Sequence, residues 1–144
     1  MLIEQKFLQE HIQELMEIWL EENENAHSFV KKQYWRQQYD FVKKALPNAM
    51  LFCEGNMPIQ GFLGVIDGYI AGLFVREAFQ RRGVGKKLVN QAKEAFPVLT
   101  LDVFAKNTKA IAFYEAMGFC KKEEKIQTDT NEKEYTMLWQ NKNI

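Results

Sequence analysis

Three observations predict an α/β fold with mixed strand pairing around a central sheet. Segments with apolar residues about 3 to 4 positions apart alternate with short aromatic and β-branched runs. Asp67-Gly68 joins two of those runs and signals a two-residue hairpin. The run 69–75 leads through a short polar loop into the glycine-led start of a helical pattern, Gly83-Val84-Gly85. A chain of 144 residues with 47% hydrophobic content suits one domain, residues 1–144, with a substantial core.

In order, residues 2–7 read as a short first strand. Ile12, Leu15, Met16, Trp19 and Leu20 follow the i, i+3, i+4 pattern of an amphipathic helix, which the polar run 21–25 ends as a solvated turn. Tyr34, Phe41, Val42, Ala45 and Leu46 give a second helix, stopped by Pro47. Strands follow at 50–54, 58–66 and 69–75, all three antiparallel. A helix carrying Val84, Leu88, Ala92 and Ala95 ends before Pro97, and residues 98–104 are a strand. Asn107 or Thr108 then caps a helix that Gly118 terminates. Two further strands, 120–127 and 132–139, flank the polar turn 128–131.

Composition narrows the function. The formal net charge is +0, from 19 basic and 19 acidic residues, which argues against a dedicated nucleic-acid binder. Cys53 and Cys120 have no metal-ligand spacing and read as buried thiols of a reducing compartment. No metal site is expected. The first residues lack the apolar core of a signal peptide, and no run approaches the ~20 residues that cross a bilayer. A cytoplasmic protein without a membrane partner is the expectation.

The most informative stretch is Gln80-Arg81-Arg82-Gly83-Val84-Gly85-Lys86. The first N–H groups of a helix have no internal acceptor, and the helix dipole is positive there. Glycines let a ligand approach that backbone, so the loop reads as a phosphate cradle with added positive charge. A P-loop is excluded, because Lys87 follows Gly85-Lys86 and no glycine stands at 80. A dinucleotide fingerprint fits poorly, because Leu88 occupies its third small position and residues 76–82 separate the strand from the first glycine.

Gln80-x-x-Gly83-x-Gly85 between a strand and a helix resembles the acyl-CoA loop of the GCN5-related N-acetyltransferase (GNAT) family. The likeness continues in Asn107, Ala110, Phe113-Tyr114-Glu115 and Gly118-Phe119, and in Ile18-Trp19, His27-Ser28-Phe29 and Tyr34-Trp35, which resemble small bacterial single-domain members. The resemblance implies a mixed, mostly antiparallel sheet flanked by helices. It implies that acetyl-CoA is the acyl-donor substrate and a primary amine the acceptor: a small molecule, a peptide N-terminus or a protein lysine. Monomer and homodimer both stay open.

Carried over residue by residue, the resemblance gives the backbone of Arg81, Arg82, Gly83, Val84, Gly85 and Lys86 the pyrophosphate, beside Gln80. The pantetheine arm runs along Leu73-Phe74-Val75, with the Phe74 amide polarising the thioester carbonyl. Asn107 contacts the arm. Tyr114 is the catalytic acid: a phenol with an ordinary pKa of about 10 is protonated and donates well to a leaving thiolate. His27, Phe29, Tyr34 and Tyr69 are candidates for the acceptor side, with Trp35 among the neighbouring aromatics. The strand 69–75 carries no carboxylate to serve as base, which leaves Asp102, His27 or a water chain. That gap also keeps a catalytically weak acetyl-CoA sensor as an alternative, and a dinucleotide-binding oxidoreductase subunit as a more distant one.

Overall fold

The computed structural model describes residues 1–142. The elements are α1 (Gln5–Ala26), α2 (Lys32–Ala45), β1 (Met50–Glu54), β2 (Gly61–Ile66), β3 (Tyr69–Val75), α3 (Val84–Ala95), β4 (Val98–Phe104), α4 (Thr108–Ala116), β5 (Cys120–Gln127) and β6 (Glu132–Gln140). The six strands form one sheet in the order β1-β2-β3-β4-β6-β5. Only β3 and β4 run parallel, because the crossover through α3 connects them; every other neighbour is antiparallel.

Strand alternation divides the core in two. Phe52, Leu63, Val65, Ile70, Leu99, Leu101 and Val103 pack with Leu88 and Val89 of α3 and Ile111 and Tyr114 of α4. Leu51, Cys53, Phe62 and Phe104 pack instead with Leu15, Met16, Ile18 and Trp19 of α1 and Trp35 of α2. So α3 and α4 cover one face of the sheet, and α1 and α2 the other. Among the described residues, no helix is long and apolar enough to cross a membrane.

The hairpin at Asp67-Gly68 is as expected: both residues have positive φ, 50° and 82°, as the tight turn requires. Four other expectations need correction. Residues 2–7 do not form a strand; Leu2 makes a single bridge to Phe52 and α1 begins at Gln5. The run 21–25 does not end α1 but continues it, since Glu22 and Asn23 fall on the same buried stripe as Leu15, Met16 and Trp19. Asn23 satisfies its buried amide on Trp19 O at 2.9 Å. Strand β2 begins at Gly61, not at 58, because the Ile59 N–H donates to the Glu14 carboxylate of α1 rather than to a neighbouring strand. Cys53 is buried, and burial pushes its thiol up to about 12, whereas Cys120 lies exposed on the edge strand β5.

Candidate active site

Strands β3 and β4 pair only at Tyr69–Thr100 and Ile70–Leu101 and then part. Beyond that point the edge of β3 facing β4 has no strand partner. Which groups lie on that edge follows from register. Arg76 N–H donates to Gln60 O on the β2 side at 2.9 Å. Alternation turns Phe74 the same way, so its amide belongs to the β2 ladder. Leu73 and Val75 therefore present N–H and C=O to the opening. Val75 O, which accepts from Gln80 Nε2 at 2.9 Å, agrees with that parity. The Phe74 amide thus faces β2, and the N–H groups on the open edge are those of Leu73 and Val75.

The opening runs into segment 76–83 and the start of α3. The first intrahelical bond of α3 is Lys87 N–H to Gly83 O, which leaves the N–H groups of Val84, Gly85 and Lys86 without acceptors inside the helix. Arg81 and Gly83 take left-handed backbone, φ 64° and 82°. A side chain at Gly83 would meet nothing within 4 Å, so this face of the loop is open. Gly85 differs: a Cβ there would lie 3.3 Å from the Phe113 ring of α4. Its smallness lets α4 close on α3 rather than admitting a ligand. Arg81, Arg82 and Lys86 are exposed around the cradle.

Tyr114 is largely buried in the cluster that holds Val84 and Val103, and burial raises its pKa. Asn107 caps α4, accepting from Ala110 N–H at 3.3 Å. Its amide nitrogen faces His27 Nε2 at 3.2 Å. Both ends of that side chain have protein partners, so Asn107 fixes the start of α4.

The same bond decides His27. Since Asn107 Oδ1 is the cap acceptor, Nδ2 donates, Nε2 of His27 accepts, and the ring proton sits on Nδ1. Burial lowers the His27 pKa to about 4, so the ring is neutral and a poor base at neutral pH. It packs on Phe29, Trp35 and Phe104. His27 is thereby removed from the candidate bases.

Carboxylates missed on β3 appear on β4 and β6. Asp102 accepts from Tyr69 OH at 3.0 Å and Thr136 Oγ1 at 2.6 Å, and pairs with Lys125 Nζ at 3.2 Å. Burial pushes Asp102 up, but the bonds from Thr136, Tyr69 and Lys125 outweigh it and hold the carboxyl below its usual range. Glu134, 8% exposed, lies 3.9 Å from the same Lys125 amine; burial and then Asp102 push it up. Tyr34, bonded to Asp129 at 3.4 Å, feels Glu134 as Tyr69 does. Tyr34 and Tyr69 therefore border one acidic patch, whereas Phe29 and His27 sit in the aromatic cluster. The patch was invisible in sequence because Asp102 lies 33 positions from Tyr69 and 34 from Thr136, and Tyr34 lies 95 from Asp129. Among the described residues, no group of three or more His, Cys, Asp or Glu side chains is arranged to hold a metal ion.

Residues 12–119 match the Acetyltransferase (GNAT) family. The chain is 35% identical to the peptidyl-lysine N-acetyltransferase YiaC of Escherichia coli, over 87% of this chain and 88% of that one. It is 31% identical to the peptidyl-lysine N-acetyltransferase YjaB of the same organism, over 88% and 86%. The solution structure of apo YjaB from E. coli superposes with a TM-score of 0.78 at 25% identity, covering 90% of this chain and 91% of that one. A streptothricin acetyltransferase-type structure from Bacillus anthracis, in complex with acetyl coenzyme A, shares the fold with a TM-score of 0.59 at 23% identity, over 65% and 63%. A glycine-led cradle, a strand pair that parts beside it and a match spanning most of the chain lead to one conclusion: this protein is a member of the GNAT acetyltransferase family.

Proposed function

We propose that the chain moves the acetyl group of acetyl-CoA directly to the side-chain amine of a lysine in a peptide or protein. The observation that carries this reading is the opening between β3 and β4, which runs into the bare N–H groups of α3 at Val84, Gly85 and Lys86. One feature suits an extended amide arm and the other a diphosphate, and acetyl-CoA has both. The acceptor class is supported by YiaC and YjaB, both peptidyl-lysine N-acetyltransferases, and by an acidic patch that already holds a lysine amine, Lys125.

In this reading the N–H groups of residues 81–86 take the diphosphate, with Arg81, Arg82 and Lys86 supplying charge at the rim. Leu73 and Val75 pair with the arm as an added strand would, and one of their N–H groups polarises the thioester carbonyl. Asp102, held ionised, seats the incoming ammonium. Glu134, raised by burial, is the better proton acceptor of the pair. The neutral amine then attacks, so that a C–N bond forms and the C–S bond breaks. Tyr114 gives its phenolic proton to the departing sulfur and is reprotonated from solvent, while the proton shed by the amine leaves through Glu134.

The test is incubation with acetyl-CoA and a panel of lysine peptides, following free thiol release and mass gain on the peptide. Peptide acetylation is expected. Acetyl-CoA that binds but is never consumed identifies the sensor instead. Absence of binding overturns the cradle assignment itself.

A further inference from the structure

Glu22 takes no part in the chemistry above, yet it is only 7% exposed. A buried carboxylate without partners is costly, so the groups that satisfy it indicate its purpose. They are the Gln80 side chain, Nε2 to Oε1 at 2.9 Å, and the backbone N–H of Glu77. Both belong to the segment between β3 and α3. The Gln80 amide nitrogen carries two hydrogens, and Val75 O takes the other at 2.9 Å. Gln80 thus ties the segment back to the end of β3 and sideways to α1.

The segment has few other anchors. Glu77, Ala78 and residues 80–83 are exposed, and Phe79 alone packs inward against the α3 cluster. Two left-handed residues, Arg81 and Gly83, follow directly, and a non-glycine residue in that conformation costs roughly 1–2 kcal/mol. At the other end, Arg76 donates to Ile59 O at 2.8 Å and pairs with Glu14 Oε2 at 3.1 Å. Glu14 and Glu22 stand about two turns apart on α1. One helix therefore holds both ends of the segment with carboxylates. A carboxylate suits the Glu22 position because its two oxygens can serve Gln80 and Glu77 together, with charge-assisted strength. Burial, then Glu21 and Glu77, push Glu22 up from the usual carboxylate range, while its two hydrogen bonds oppose the shift.

We propose that Glu22 is a positioning residue for acyl-donor binding: through Gln80 it holds residues 81–86 in the shape that receives the diphosphate, and it touches no reacting atom. This rests on the cradle assignment made under the proposed function. It also gives Gln80 a different role from that of a direct ligand, since its amide is turned inward to α1 and β3.

The experiment measures acetyl-CoA binding by calorimetry, and steady-state kinetics, for the unaltered chain, Glu22→Ala, Glu22→Gln, Gln80→Ala and the double variant Glu22→Ala/Gln80→Ala. Glu22→Ala is expected to weaken binding about 10-fold or more, as loss of a charge-assisted bond does. At saturating acetyl-CoA its kcat falls by no more than about 2-fold, because only positioning is lost. Glu22→Gln keeps an acceptor oxygen and recovers most of the affinity. The double variant binds no worse than the weaker single one, because the two residues act in series. Gln80 is exposed, so Gln80→Ala carries the test even if Glu22→Ala does not fold.

Binding unchanged in Gln80→Ala or Glu22→Ala overturns the proposal, as do losses that add in the double variant. A fall in kcat with affinity intact also overturns it, because Glu22 would then act in the chemistry. Should the unaltered chain fail to bind acetyl-CoA, the cradle assignment and this proposal fall together. If it binds and the variants bind equally well, only the proposal falls.

Discussion

The two sides of the β3–β4 opening are made of different materials. Toward α3 most of the polar groups are main-chain ones, the N–H groups of Val84, Gly85 and Lys86 and the β3 edge at Leu73 and Val75, with the Arg81, Arg82 and Lys86 side chains at the rim. Toward β5 and β6 they are side chains: Asp102, Glu134, Tyr69, Thr136 and Lys125, brought together from four strands. Main-chain groups are fixed by the fold itself and tolerate changes of side chain. A side-chain cluster can be retuned one residue at a time. If acetyl-CoA lies on the first side and the amine on the second, the invariant substrate meets the invariant material. The choice of acceptor then rests on the part that is free to vary.

The sharpest way to break this comparison is at Tyr114, the one side chain assigned a chemical role on the main-chain side. Tyr114→Phe removes a donor and keeps the ring packed against Phe113 and Phe119. Turnover is expected to fall about 100-fold with the KM for acetyl-CoA unchanged. Lost acetyl-CoA affinity with full turnover at saturation would make Tyr114 a packing residue.

His27 tests whether the two sides are mechanically joined, because it lies in the α1–α2 corner yet touches Asn107, the cap of the helix that carries Tyr114. Its folded pKa of about 4 lies below the ordinary value. The folded state therefore binds fewer protons, and His27's contribution to stability is present above the unfolded pKa and lost as pH falls toward the folded one. Between about pH 7 and about pH 5 that loss is about 2 kcal/mol. Urea unfolding at the two pH values should show it in the unaltered chain and not in His27→Gln. Equal pH dependence in both would mean that the ring titrates as though exposed.

The same division explains what could be read from sequence. The Asp67-Gly68 turn, the strand–loop–helix unit and the Asn107 cap are local, so each was legible from a few neighbouring residues. The glycine-led loop before α3 is legible for the same reason: main-chain groups need only glycine and a helix start. The extension of α1 was hidden because Glu22 and Asn23 are polar residues on a buried stripe, satisfied by Gln80, Glu77 and Trp19. The open edge of β3 falls at Leu73 and Val75 rather than at Phe74 because one position in a strand reverses which edge an amide faces, and register is set by β2. The acidic patch had no local signal at all. Asp102 is a candidate on sequence grounds, but nothing near it in the chain announces Thr136, Glu134 or Lys125.

On the side-chain side, Asp102→Asn keeps the size of the residue and removes its charge. The KM for a cationic peptide acceptor is expected to rise about 10-fold, with the KM for acetyl-CoA unmoved. A change in acetyl-CoA affinity instead would place Asp102 with the donor and collapse the distinction between the two sides.

The smallest effect is the most discriminating. Lys125 Nζ sits 3.2 Å from Asp102 and 3.9 Å from Glu134, so a resident ammonium occupies the place proposed for the substrate's own. Two cations cannot share one carboxylate pair without repulsion, so an acceptor lysine must displace Lys125. Removing the resident in Lys125→Met should therefore lower the acceptor KM, by about 2- to 5-fold, since an exposed pair of this kind is weak. The gain should shrink as salt screens the competition. An acceptor KM that rises instead would mean that Lys125 helps hold the patch in shape, and the acceptor amine would have to be sought elsewhere along the opening.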